Sequence, residues 1–87
     1  MIVNTIVKHA KAARIILFGS RARQDAHPRS DYDVAIDDPQ LTPALLAKLR
    51  AELEALPTLL NIDLVWINHA APVLRHRILS EGKTLYE

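Results

Sequence analysis

No cysteine occurs anywhere in the chain. Disulfides and thiolate metal sites are thereby excluded, and any metal must be held by oxygen or imidazole. No apolar run approaches the roughly 20 residues of a membrane span. The N-terminus does not read as a signal peptide: Met1 to Val3 is too short for an apolar core, and Lys8 and Lys11 follow soon after. A soluble cytoplasmic protein is expected. Excess charge of one sign is also missing, since the formal net charge is only +1. That is too little to argue for bulk binding to nucleic acid or an acidic membrane. Aromatic residues are limited to Phe18, Tyr32, Trp66 and Tyr86.

What is present is a compact apolar fraction, 49% of 87 residues, which fits a folded chain and argues against disorder. The length suits a single domain over 1–87 and no more. A domain this small buries only roughly 60% of the surface its unfolded chain exposes, so a partner surface is a natural supplement.

Periodicity divides the chain. Ile2, Ile6, Val7, Ala10 and Ala13 recur at helical spacing, which predicts an amphipathic helix over 2–13. Ile15 to Phe18 is short, apolar and ended by Gly19, the pattern of a buried strand. A helix is expected from Ser20 over residues 20–24, with Ser20 near its N-cap. Gln24 to Ser30 reads as a loop. Tyr32 to Asp37 alternates, with Tyr32, Val34 and Ile36 on one face and Asp33, Ala35 and Asp37 on the other. Thr42-Pro43 starts a helix whose stripe is Leu45, Leu46, Leu49, Leu53 and Leu56. Ile62 to Ile67 is a third strand. A last helix begins at Pro72, with Val73, Leu74, Ile78 and Leu79 as its expected buried face and Gly82 as its C′ residue. Leu85 and Tyr86 form a short terminal strand or simply pack. The order predicts a two- or three-layer α/β (α+β) fold around a small sheet of three to four strands.

Chemistry concentrates between Leu17 and Asp37. A strand ends at Phe18 and turns on Gly19, where glycine lets the backbone approach a ligand closely. Ser20 adds a hydroxyl beside the free N–H groups of a starting helix, a place suited to phosphate. Arg21 and Arg23 add guanidinium groups, which match phosphate geometry. Asp31 and Asp33 follow, two apart and on one strand face, with Cα atoms about 6.6–7 Å apart. Such a pair calls for a counter-charge, and Mg²⁺ favours one or two carboxylates plus substrate phosphates. The spacing also suits two metals about 3.5–4 Å apart, as used for displacement at phosphorus. Asp63 lies in the third strand among apolar residues, where a lone charge needs a partner or a metal. If that strand borders the second, Asp63 joins the other two carboxylates on one face.

Gly19-Ser20, ten intervening residues and then Asp31-x-Asp33 resemble the signature of the polymerase-β-like nucleotidyltransferase superfamily. The wider run Phe18-Gly19-Ser20-Arg21-Ala22-Arg23 with Ser30-Asp31-Tyr32-Asp33, and the tail from Pro72 to Glu87, are similar to its minimal nucleotidyltransferase (MNT) branch. The resemblance implies a mixed sheet flanked by helices. It implies ATP as substrate, two Mg²⁺ ions held by Asp31, Asp33 and Asp63, and AMP transfer with release of pyrophosphate. It also implies a partner, an all-helical HEPN toxin adenylylated on a tyrosine, with this chain as antitoxin. The chain departs from the family at Gln24, where glycine is common, and at Trp66, where a polar residue is frequent. Two other readings use the same residues. One is a module that masks its partner and only binds nucleotide. The other is the catalytic subunit of a small-molecule nucleotidyltransferase.

Other residues take ordinary roles. Asp37 and Asp38 read as strand-end and turn residues, and Ser30 as a loop cap. His9, His27, His69 and His76 lack metal-site spacing. Trp66 is expected in the core or an interface. Arg75, His76 and Arg77 form a short basic patch, either solvated or facing an acidic partner.

Overall fold

The computed structural model describes residues 2–10, 14–23, 31–58 and 61–87. The expected loop Gln24 to Ser30, with His27, and the end of the first helix at Ala13 lie outside them. The elements run α1 (Ile2–Val7), β1 (Arg14–Phe18), α2 (Ser20–Arg23), β2 (Tyr32–Asp37), α3 (Pro43–Glu54), β3 (Ile62–Trp66), a 3₁₀ turn (Ile67–His69), α4 (Pro72–Glu81) and β4 (Lys83–Tyr86). No described helix is long and apolar enough to cross a membrane.

The strands form one sheet in the order β3-β2-β1-β4. β1 pairs antiparallel with β2 and with β4, whereas β2 and β3 are parallel, so the sheet is mixed. Parallel strands require a crossover, and α3 supplies it between β2 and β3. The return from β3 to β4 crosses the sheet the other way. The shared handedness of such crossovers puts its helix, α4, on the opposite face. The result is the α/β (α+β) fold expected from the sequence, with one mixed sheet between helices on its two faces.

Alternation in each strand builds two cores. Ile15, Val34, Ile36 and Leu64 meet Ile6 and Ala10 from the α1 segment and Leu46, Leu49 and Leu53 from α3. On the other face Ile16, Phe18 and Ala35 meet Ile67 and Ile78. Asp33, Asp37 and Asp63 alternate onto this second, thinner face.

α3 starts where Thr42 predicts. Its hydroxyl accepts the Leu45 N–H at 3.1 Å, and Pro43 occupies the first turn. α1 is shorter than its periodicity suggests, since regular helix ends at Val7. A helical bond from the Ala10 N–H to Ile6 O, 3.0 Å, still brings Ala10 into the core. His9 Nε2 lies 2.6 Å from Glu52 Oε2, joining this segment to α3. β3 ends one residue early, with Ile67 already in the 3₁₀ turn.

Two expectations about the last helix are corrected. Val73 is 75% exposed and Leu79 51% exposed, rather than buried. Leu74 and Ile78 are four apart and stack on one line toward the sheet. At about 100° per residue, Val73 and Leu79 fall to either side of that line. Gly82 is not a left-handed C′ residue, because its φ of −74° and ψ of 156° are extended. The chain runs directly from α4 into β4. Glycine serves there for space, since an added Cβ would overlap Ile16 Cγ2 and the Ile78 carbonyl oxygen. Gly82→Ala is therefore expected to lower stability by about 1–3 kcal/mol through overpacking. Urea denaturation measures it, and an unchanged midpoint would contradict the packing account.

β4 is an edge strand with every residue exposed. Its pairing with β1 is irregular between Ile15 and Ile16, where Tyr86 and Thr84 are the partners and Leu85 bulges.

Candidate active site at the mouth of the central strands

β1 ends and β2 begins at the same end of the sheet, because the two are antiparallel. Phe18 pairs with Asp33 in the register. Gly19, the next residue, turns with φ +75°, in the left-handed region that favours glycine. A Cβ on Gly19 would overlap the Asp33 carboxylate. The Gly19 backbone and the Asp33 side chain are thus packed against each other, which explains the glycine twice over.

α2 is a single turn, with the Ala22 N–H bonded to Gly19 O at 3.1 Å. Only a small dipole accumulates over one turn. What Ser20 offers a phosphate is therefore its hydroxyl and the local N–H groups. Arg21 sits with its guanidinium carbon 4.1 Å from the centre of the Tyr32 ring, a cation–π contact. Tyr32 packs on the α1/α3 face. Arg23 closes α2, and its side chain lies outside the described residues.

The parallel register places Asp33 directly opposite Asp63. Neighbouring strands lie about 4.8 Å apart, so the two carboxylates stand side by side on one face. Asp33 is half-buried and Asp63 exposed. They share a cavity of about 460 Å³ that also touches Phe18, Arg50, Glu54 and Leu74. Leu74 of α4 forms part of its wall. Asp31 precedes β2 and is exposed, and it lines an adjoining cavity of about 370 Å³ together with Asp63, Glu54 and Asn61. Glu54, Ile62 and Asp63 line both cavities, so Asp63 is the one of the three aspartates common to them. Among the described residues no three carboxylates or imidazoles come close enough to hold a metal together.

The donor set nonetheless fits a hard cation. All of its donors are carboxylate oxygens, and Mg²⁺ needs only one or two of them when substrate phosphates complete the shell. Asp33 and Asp63 meet that requirement by register alone.

Arg50 and Glu54 are neighbours of the site that the sequence did not single out. They are four apart on α3, a spacing that puts them on one helix face. In the fold Arg50 Nε and Nη2 donate to the Leu64 carbonyl at 3.2 and 3.0 Å. That bond fixes a cation on the outer edge of β3, beside the acidic pair. Only the packing of α3 against β3 reveals it.

The remaining expectations find ordinary places. Asp37 accepts from Arg14 Nη2 at 2.9 Å and from Asn68 Nδ2 at 3.0 Å. Asp38 is buried and caps its own turn by accepting the Gln40 N–H at 3.0 Å. Trp66 packs on the α1/α3 core, donates Nε1–H to Asp38 O at 3.0 Å and stacks on His69 with ring centres 3.8 Å apart.

Comparison with known proteins agrees with this fold. A family model described as polymerase beta, nucleotidyltransferase, matches residues 1–87. No curated protein matches the chain. Among solved structures, the chain is similar to one in a crystal structure of a toxin–antitoxin with AMP-PNP. The TM-score is 0.80 at 28% identity, covering 98% of this chain and 69% of that one. A mutant of the toxin–antitoxin MntA-HpeT gives 0.78 at 27% identity, with 98% and 69% covered. A tri-AMPylated Shewanella oneidensis HEPN toxin in complex with MNT antitoxin gives 0.66 at 25% identity, with 98% and 66% covered.

Proposed function

This chain belongs to the polymerase beta nucleotidyltransferase family, and we propose that it transfers AMP from ATP to a tyrosine hydroxyl of a HEPN-type partner, as the antitoxin of that pair. The observation that carries the reading is the register match of Asp33 with Asp63 beside the Gly19 turn. It sets a carboxylate pair directly against the backbone of a glycine turn. The toxin–antitoxin neighbours, one with AMP-PNP and one with an AMPylated toxin, support the choice of nucleotide and acceptor.

In this reading the triphosphate lies over Gly19 and the Ser20 hydroxyl. Asp33 and Asp63 would hold Mg²⁺, with Asp31 beside them on the adjoining cavity, and the ion would supply charge neutralisation at the α-phosphate and the leaving pyrophosphate. Gly19 keeps the phosphates close to Asp33 by having no side chain to hold them off. Asp63, exposed at the mouth, receives the proton of the attacking hydroxyl. The hydroxyl oxygen bonds to the α-phosphorus as the bond to the β-phosphate oxygen breaks, and pyrophosphate departs.

The test is incubation of this chain with labelled ATP, Mg²⁺ and a HEPN-type helical protein, then mass mapping of the product. AMP on a partner tyrosine is expected, lost when either Mg²⁺ or this chain is omitted. A partner recovered unmodified would overturn the assignment. Val73, exposed on α4, gives a second reading some support, in which the chain neutralises its partner by covering it. A variant unable to transfer AMP separates the two.

A further inference from the structure

We propose that the far end of the sheet carries a second binding site, for one oxyanion, a phosphate or carboxylate group, received between Arg14 and Arg75. The site is independent of the transfer reaction. It occupies the opposite ends of the same strands, where β1 begins and β2 and β3 finish.

A cavity of about 290 Å³ opens there, lined by Arg14, Asp37, Ile67, Asn68, Arg75 and Leu79. Both arginines are held in place by bonds along one edge. Arg75 donates from Nε to Ile67 O at 3.3 Å and from Nη2 to Asn68 O at 3.1 Å. Arg14 donates from Nη2 to Asp37 Oδ2 at 2.9 Å. A guanidinium has five donors in a planar fork, so each keeps N–H groups for a ligand. Fixing the fork beforehand lowers the entropy lost on binding.

Charge decides what the ligand is. Asp37 opposes an anion, but both its oxygens are engaged, Oδ2 by Arg14 and Oδ1 by Asn68 Nδ2 at 3.0 Å. Arg14 and Asp37 therefore cancel. Arg75 bonds only neutral carbonyls, and no ion pair to it occurs among the described residues. One uncompensated, oriented cation remains at the mouth. Asn68 is itself anchored, accepting the Asp38 N–H at 2.9 Å, so the wall does not have to rearrange. Leu79, half-exposed at the rim, offers apolar contact to whatever carries the anion.

Titration with inorganic phosphate and, separately, acetate at constant ionic strength tests the site by NMR. Saturable millimolar shifts are expected at the Arg14 and Arg75 Nε–H and the Asn68 side-chain amide. Arg75→Gln should weaken binding about tenfold or more, as expected when a charge-assisted hydrogen bond is lost. Arg77→Gln removes the same charge from an exposed neighbour and should leave binding unchanged. Leu79→Glu, at an exposed position, should also weaken it, which covers the case in which Arg75→Gln disturbs the fold. Asp33→Asn should have no effect. Tighter phosphate than acetate assigns a phosphorylated ligand, and equal affinities assign a protein carboxylate. Absence of saturable shifts, or equal losses in Arg75→Gln and Arg77→Gln, would overturn the proposal.

Discussion

Asp33→Asn is expected to reduce AMP transfer by about a thousandfold or more, since metal-assisted charge stabilisation is worth several kcal/mol. Asparagine keeps the shape of the side chain and removes its charge. Two carboxylates directly opposite in a ladder repel each other, so the fold should survive the change and the loss of transfer be read on a folded protein. Transfer to the partner and thermal midpoint should be measured on the same preparation. Transfer at the wild-type rate would sink the catalytic role. If the inactive variant still neutralises the partner at equal concentration, covering the partner is the better account of neutralisation.

Gly19→Ala is expected to injure both fold and reaction. A left-handed backbone costs an L-residue about 1–2 kcal/mol. The added methyl also overlaps the Asp33 carboxylate, which must then move. Misplacement of a reacting group by about 1 Å can cost a hundredfold in rate, and a loss of that order is expected. A double-mutant cycle distinguishes the two causes. In an Asp33→Ala background the carboxylate is gone, so Gly19→Ala should cost only the backbone strain. Equal stability losses in both backgrounds would remove the Gly19–Asp33 contact from the account.

Local pattern carried most of the fold. β2 occupies Tyr32–Asp37 as its alternation predicts, and α3 begins at the cap that Thr42 and Pro43 mark. These elements are legible because one residue's environment is set by near neighbours. The pairing of Asp33 with Asp63 was conditional on β3 lying beside β2, which the sheet order satisfies. The wrong assignments came from α4. Its apolar residues Val73 and Leu79 suggest a wide buried stripe, but the sheet offers that helix only a narrow strip around Ile16, Phe18 and Ala35. How much apolar surface a helix can bury depends on what lies beneath it, and that is not written in the helix. The same holds for Arg14, Asp37, Asn68 and Arg75. They meet across more than sixty positions of sequence, so no spacing rule reaches them.

The two outer strands also bear on how the protein behaves in a crowded solution. An open sheet edge is a template on which a foreign strand can grow, the first step toward aggregation. Here the β3 edge has its Leu64 carbonyl already taken by Arg50, and the β4 edge is broken at Leu85. A strand arriving at either side meets an interrupted row of donors and acceptors.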